Sequence, residues 1–568
     1  MSKPCFDIGL VGAGAISAGA YTGGVIDFMV HALDEWYAAK ANGTEPVPPH
    51  DVKLSVFSGA SAGAITAALG AGYLGSDQPP VTNEAEAASN NGRNKLFDSW
   101  VDRIDISSLL DKRDLGKQGK VMSILDSTVL AEIADNGLDI EPRPDKRPYV
   151  ADNFDLLLTV TNLRGVPYDI RFQGTQFAGY PMSLHADFVH FCFSTAAGEI
   201  TPDRFALTWN DLGSANHPYK LKLKISALAS GAFPVGLAPR TLSHVIPGNG
   251  KLDPYSARPW AVPTPDSINP HTCFKDELIP VVWGTLPPNY EYDYLCADGG
   301  VMDNEPLELA RRLLAGPNAH NARDGDKATK AIVLIDPFPG DVTFSPEYQP
   351  PPDLLKLVLG LFGALKNQAR FKPEELVLAA HPQVYSRFMI APSRDNAKYP
   401  IACGSLGGFG GFLKRDFRKH DYFLGRRNAQ KFFKDHFSLL ETNPLFVDWS
   451  DPMKDKYCVR DPNTNTPVLQ DNQRLLPIIP LVAAAAESCF SPAWPHYTRD
   501  DLSKLSTQVE GRVEIVLERL VEQYFEGNNF LIRWGAKFFL SSKKNDIVEF
   551  VRKKVEGDLT AMELMTKD

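Results

Sequence analysis

The sequence predicts an α/β fold: a mostly parallel central sheet flanked by helices, followed by a mainly helical C-terminal region. Three observations lead there. Short apolar runs of strand character alternate with helical patterns over residues 1–340, as expected for strands joined by crossover helices. Two of those runs, Phe6–Val11 and Leu54–Phe57, lead through glycine-rich loops straight into helical stretches. Beyond the prolines at 346, 350, 351 and 352 the composition changes, and Thr507 to Met565 is helical in pattern.

Composition bounds the function. The chain has 568 residues, 43% hydrophobic and 23% charged, an ordinary globular balance with a full core. A formal charge of −10 argues against a general nucleic-acid binder and against whole-surface attraction to anionic lipid. Seven cysteines are scattered without CxxC spacing, so they read as thiols of a reducing compartment, not as a zinc or redox site. Glycines and Asp7 interrupt the first thirty residues, and no run reaches the ~18 apolar residues of a membrane span. The expectation is a cytoplasmic protein, with peripheral attachment to a membrane compatible, and with no integral membrane segment. No metal-ligand cluster is legible, so no metal and no cofactor are expected. Nothing in the sequence speaks to oligomeric state.

Phe6–Val11 reads as the first strand and runs into Gly12-Ala13-Gly14-Ala15-Ile16-Ser17-Ala18-Gly19. From Tyr21 to Tyr37, the residues Val25, Phe28, Met29, Ala32, Leu33 and Trp36 recur at three- and four-residue spacing, an amphipathic helix. Such a loop aims backbone N–H groups at an anion. A dinucleotide site would want glycine where Ser17 stands and an acidic residue ending a second strand, but Asp34 and Glu35 fall in the helix. The other reading is an oxyanion hole made by amides from Gly12 to Ala15.

The next strand ends in Gly59-Ala60-Ser61-Ala62-Gly63, and Ala64 to Leu69 reads as a tightly packed helix. A serine at a strand-to-helix turn with glycines two residues to either side is a nucleophile elbow. The glycines let strand and helix approach, and the helix N-terminus favours developing negative charge. The same residues also fit a turn in which Ser61 merely caps the helix.

Residues 76–94 are polar and read as a mobile surface loop, and Leu96 to Leu110 resumes a helical pattern around Trp100. Leu156 to Thr161 and Leu221 to Leu228 read as strands, the second leading into Ala229-Ser230-Gly231-Ala232-Phe233-Pro234. The span 244–292, rich in proline and asparagine, reads as an irregular insertion, a lid or rim. Tyr294 to Ala297 is a short strand ending in Asp298-Gly299-Gly300. A helix follows with Leu307, Ala310, Leu313 and Leu314 on one face, then a buried strand, Ala331 to Asp336. Held at a strand end, Asp298 suits two roles: an Asx-turn residue, or the base that takes the Ser61 proton.

Taken together, residues 6–340 resemble a patatin-like phospholipase domain. Four segments match in order: Gly19-Ala20-Tyr21 with Gly24-Val25, the Gly59–Gly63 elbow, Ala229–Pro234, and Asp298-Gly299-Gly300 with Asn304-Glu305-Pro306. The resemblance implies hydrolysis of carboxylic ester bonds in lipids through a Ser–Asp dyad, with Ser61 as nucleophile and Asp298 as base. It implies an oxyanion site near Gly12, Gly14 and Ala15, with Gly59, Gly63, Gly299 and Gly300 shaping the two motifs. Many members carry an Arg or Lys in the first loop. Here Gly14-Ala15-Ile16-Ser17-Ala18-Gly19 has no cation, so oxyanion stabilisation would rest on backbone amides. A Ser-His-Asp triad is the rival mechanism, with His320 and His381 following Asp298 in chain order. A non-catalytic lipid- or protein-binding member of the same fold is the alternative function.

The expected division is a catalytic domain over 1–340, a proline-rich linker over 341–353, and a mainly helical region over 354–568 packed on that domain. Leu354 to Leu365 is apolar and reads as a buried helix or a helix at the pocket mouth. Between Lys414 and Asp435 stand eight Lys or Arg against three Asp. That run either attracts lipid headgroups or pairs with internal acids around a helix start. In the tail, Val509, Val513, Val516 and Leu520 form one stripe and Phe530, Trp534 and Phe538 another. Both suit a core face, and the second also suits a membrane surface.

Overall fold

The computed structural model describes residues 3–43, 46–116, 120–170, 179–194, 203–246, 254–257, 260–265, 274–316, 321–339, 384–394, 397–525 and 530–566, with single positions between 357 and 370. The linker expected at 341–353, and His320 and His381, lie outside the described residues.

Up to residue 390 the described strands are β1 (Cys5–Gly12), β2 (Asp51–Gly59), β3 (Val150–Ile170), β4 (Tyr180–Ser194), β5 (Phe205–Leu207), β6 (Arg240–Ile246), β7 (Trp260–Pro265), β8 (Phe274–Ile279), β9 (Tyr290–Asp298), β10 (Lys330–Ile335) and β11 (Arg387–Ile390), and Ser438–Leu440, Leu469–Gln470 and Gln473–Pro477 form a small antiparallel sheet further on. Nine of these make one sheet in the order β11-β10-β1-β2-β3-β4-β5, with β9 beside β3 and β6 beside β9. The run from β11 to β3 is parallel. β4 and β9 are both antiparallel to β3, and β6 is antiparallel to β9. β7 and β8 form a separate antiparallel pair inside the span expected to be irregular.

Side chains of the parallel strands alternate between two buried layers, as strands covered on both faces must. Val11, Val56, Ile332 and Leu334 pack with Leu307, Ala310 and Leu314 of α4 (Leu307–Ala315) on one face. Leu10, Phe57, Val333 and Ile335 belong to the larger core on the other. That core includes α1 (Gly19–Asn42) and α2 (Ala62–Leu74).

Two expectations from the sequence are corrected. Leu221 to Leu228 is not a strand but lies in α3, Pro218–Ser230. The alternation of Leu221, Leu223 and Ile225 with lysines imitates a strand, yet burial falls on Lys220, Leu223, Ala227 and Ser230 while Leu221 and Ile225 are 40% and 38% exposed. That spacing is one helix face, and Pro218 presets the first turn. Residues 76–94 are not a loop spread over the surface. They contain a short helix, Glu84–Ala88, and Val81, Asn90 and Asn94 are buried.

In the C-terminal region, α5 (Arg415–Asp435) crosses α1 at backbone contact. A Cβ on Gly24 would lie 1.9 Å from the Tyr422 carbonyl oxygen, and one on Gly425 would lie 2.2 Å from that of Tyr21. The basic run pairs internally. Arg426 meets Asp27, Arg415 meets Asp102 at 2.7 Å, Lys419 meets Glu84 at 2.7 Å and Lys414 meets Asp501 at 2.8 Å. Two long helices, α6 (Arg499–Phe525) and α7 (Phe530–Ala561), close the chain. Val509 and Val516 of α6 are buried, whereas the side chains of Phe530, Trp534 and Phe538 lie outside the described residues. Leu357 and Leu361 are exposed, so at those positions the segment 354–365 is not a buried helix. Among the described residues, no helix is long and apolar enough to cross a membrane.

Candidate active site

Ser61 and Asp298 meet because two strands approach each other head-on along β3. β2 runs parallel to β3 and ends with Gly59 opposite Leu158. β9 arrives antiparallel and ends with Asp298 opposite Val160. The chain turns off the sheet at both ends, and the two side chains converge over the junction. Ser61 Oγ donates to Asp298 Oδ2 at 2.6 Å. The residues are 6% and 3% exposed.

The elbow is strained. Ser61 has φ 54° and ψ −125°, a backbone state that costs about 1–3 kcal/mol for a residue with a side chain. Its side chain makes no capping hydrogen bond to α2, so it is not the helix cap that the motif alone also allowed. Its N–H donates to Ser230 Oγ at 2.8 Å. The flanking glycines allow contact between backbones. A Cβ on Gly59 would lie 2.5 Å from the Gly63 carbonyl, and one on Gly63 would lie 2.1 Å from the Gly12 carbonyl oxygen.

Asp298 engages its two carboxylate oxygens separately. Oδ1 accepts the Gly300 N–H at 2.7 Å, closing an Asx-turn, while Oδ2 faces Ser61. Its backbone is pinned on both sides: the N–H donates to the Ala232 carbonyl at 2.9 Å and the carbonyl accepts from Thr161 Oγ1 at 2.7 Å. Gly299 passes β3 so closely that a Cβ would lie 2.3 Å from the Thr159 carbonyl oxygen.

The first loop lies beside this pair. Gly12 stays in the β1 ladder, and its carbonyl accepts from Ala60 N–H at 3.1 Å. The Gly14 N–H donates to the Asn304 carbonyl at 3.1 Å, so this amide is already engaged. Among the described residues, the Ala15 N–H donates to no backbone carbonyl. Ile16 next to it has φ 49° and packs in an apolar cluster with Phe233 and Phe409, whose rings meet edge to face at 5.5 Å. All three are half-buried.

A model of the family described as patatin-like phospholipase matches residues 10–311. The chain belongs to the patatin-like phospholipase family. That family is generally one of hydrolases acting in lipid degradation. The chain is also similar to the uncharacterized protein y4iI of Sinorhizobium fredii, 35% identical over 593 aligned positions that cover 97% of this chain and 81% of that protein. The similarity to that relative therefore extends well beyond the patatin-like segment.

Several neighbours of the Ser61–Asp298 pair carry contacts that no local pattern announces. Ser230 and Asn304 were visible as motif letters, but nothing said that one would hold the Ser61 amide and the other the Gly14 amide. Ser17 stands in the loop segment where many members carry a cation. Its Oγ donates to the Gly408 carbonyl and accepts from the Gly411 N–H at 3.0 Å. Arg370 had no sequence signal at all. It meets Glu305 and Asp336, each at 2.9 Å. Burial pushes the Glu305 carboxyl up to about 7 against the opposing pull of Arg370.

Proposed function

We propose that this protein is a serine-dependent lipid acyl hydrolase of the phospholipase A type or a related carboxylic ester hydrolase, working through a Ser61–Asp298 dyad. The observation that supports the reading is the 2.6 Å hydrogen bond from Ser61 Oγ to Asp298 Oδ2, on a strained elbow whose strain a helix cap would not need. Ser61 Oγ attacks the acyl carbonyl carbon as its proton passes to Asp298 Oδ2. The proton then goes to the departing alcohol oxygen, leaving an acyl-enzyme. Water attacks that ester with Asp298 again as base, and Ser61 leaves with the proton. Of the three nominated amides, Ala15 is best placed to hold the oxyanion, since Gly14 already donates to Asn304. Ile16, Phe233 and Phe409 suit contact with an acyl chain. The substrate is a lipid ester presented at a membrane surface or in a micelle.

Ser61→Ala and Asp298→Ala should each abolish hydrolysis of lipid and short-chain esters while the proteins stay folded by circular dichroism. A fluorophosphonate should label the unaltered protein and fail on Ser61→Ala. Activity retained in either variant refutes the dyad. A folded protein that neither hydrolyses nor labels points instead to a binding-only member of the fold.

A further inference from the structure

The first loop lacks a cation of its own, yet a guanidinium from far along the chain bonds Glu305, the neighbour of the Asn304 that meets the loop. We propose that Arg370 is a positioning residue for the oxyanion loop: it anchors Glu305 and, through Glu305, the Asn304 side chain that braces Gly14 and Gly300. The proposal rests on the dyad reading above and adds to it a role for the C-terminal region.

The connection is continuous. Arg370 Nε donates to Glu305 Oε1 at 2.9 Å, and Nη2 donates to Asp336 Oδ2 at 2.9 Å and to the Phe338 carbonyl at 2.8 Å. Asn304 Nδ2 donates to the same Glu305 Oε1 at 2.6 Å. Asn304 Oδ1 then fills the space in front of two glycines: it lies 2.3 Å from where a Gly14 Cβ would stand and 2.4 Å from where a Gly300 Cβ would stand. Gly300 is the residue whose N–H holds Asp298 Oδ1. One side chain thus touches both the candidate oxyanion loop and the turn that aims the base, and Glu305 holds that side chain.

Glu305 depends on Arg370 for its charge. The carboxylate is fully buried, and among the described residues its Oε2 has no hydrogen-bond partner. A buried carboxylate keeps its charge only with a paired cation. Among the described residues, the charged groups facing it are Arg370 from the C-terminal region and Asp336 from the end of β10, the second of which opposes ionisation. Without Arg370, Glu305 loses the guanidinium bonded to it, burial and the nearby Asp336 favour the neutral acid, and Glu305 takes a proton. As a neutral acid it is a weaker acceptor for Asn304 Nδ2, and the brace loosens. Arg370 lies outside residues 10–311, the segment matched to the family.

The test uses the full chain, with short-chain ester hydrolysis and fluorophosphonate labelling followed from about pH 5 to about pH 9. Ser61→Ala comes first: if it keeps activity, the dyad reading fails whatever Arg370 does. With that variant inactive, Arg370→Gln should lower kcat by about 10- to 100-fold, the cost of a slightly misplaced site, and leave KM within about threefold. It should also move the acid limb of kcat to higher pH, because Glu305 then protonates earlier. Arg370→Lys, which keeps a cation there, should recover most of kcat and return the limb. A wild-type kcat and limb in Arg370→Gln overturns the proposal. So does a loss of kcat with an unmoved limb that is equal in the Gln and Lys variants, since a mere structural prop would behave that way. If Arg370→Gln does not fold, Glu305→Gln decides. It should lose about tenfold in kcat and lack the part of the acid limb near 7, and wild-type behaviour in it overturns the proposal.

Discussion

Gly63→Ala perturbs the elbow by one methyl group. Gly63 lies in the first turn of α2, two residues past Ser61. A Cβ there would lie 2.1 Å from the Gly12 carbonyl oxygen, 2.5 Å from its carbonyl carbon and 2.8 Å from the Ala13 carbonyl oxygen. These are backbone atoms, and they are tied: Gly12 O accepts from Ala60 N–H at 3.1 Å, and Ala13 N–H donates to Ile335 O at 3.0 Å. They cannot swing aside as a side-chain end would. Ordinary contact begins at 3.4 Å, so the turn must retreat by about 1.3 Å. Ser61 moves with it, and a retreat of that size breaks the 2.6 Å bond to Asp298. The expected stability cost is about 1–3 kcal/mol, and the expected loss in kcat is about 100-fold. Gly72→Ala in the same helix is the control. Its Cβ would make ordinary contact, 3.5 Å from Ile140 Cγ2, and helix propensity should raise stability by up to about 1 kcal/mol. Thermal melts and fluorophosphonate labelling rates read both. A Gly63→Ala protein with wild-type Tm and labelling rate would refute the close-approach account.

Two further outcomes follow from the contact between the early and late parts of the chain. Arg426→Leu leaves Asp27 buried without its cation, so urea unfolding should show a loss of about 3–5 kcal/mol; adding Asp27→Asn should return part of it, and a loss below about 1 kcal/mol would contradict the pairing. His50 accepts from Trp449 Nε1 at 3.1 Å and bonds the Ile478 carbonyl at 2.9 Å, and burial pulls its pKa from 6.5 down to about 3. Below pH 6.5 the unfolded chain therefore takes a proton that the folded chain refuses, and stability should fall by up to about 1.4 kcal/mol per pH unit from this group until the folded value is reached. His50→Gln, which preserves an acceptor and a donor, should flatten that slope in urea melts at stepped pH, and an unchanged slope would show that His50 is not its source.

How much was legible depends on whether a residue's role is local. Three of the parallel strands could be read because they are short apolar runs ended by glycine or aspartate: β1 and β10 stand within one residue of where the pattern puts them and β2 within three, whereas β3 runs well past the Leu156–Thr161 pattern at both ends and β11 is too short to stand out. The elbow is equally local: glycine, serine and the following helix lie in one turn. α3 was misread because the Leu-Lys-Leu-Lys alternation over 221–224 reports period two, and only tertiary burial selects the helical face. The site divides in the same way. Ser61 and Asp298 could be nominated from their own neighbours, but their meeting depends on the head-on approach of β2 and β9, and no residue encodes that register alone. Ser230, Ser17, Glu305 and Arg370 act across 169, 391 and 65 positions of chain, beyond the reach of any local pattern.

Those long separations bear on what the C-terminal region does. Asp27, His50, Ser17 and Glu305 are buried polar groups of the sheet-bearing part, and each finds a partner beyond residue 353: Arg426, the Ile478 carbonyl and Trp449, the Gly408 carbonyl and Gly411 N–H, and Arg370. A buried polar group left unpaired costs about 1–3 kcal/mol, and more when charged. Four such losses together would rival the whole stability of an ordinary domain, about 5–15 kcal/mol. The change of composition after residue 340 is therefore crossed by buried polar pairs that join the two parts of the chain. Two of the four partnerships also reach the loop and turn that frame Ser61 and Asp298: Ser17 lies two residues past Ala15, and Glu305 holds the Asn304 side chain that meets Gly14 and Gly300. The late chain is thus placed to set the geometry of the site as well as to cover the sheet.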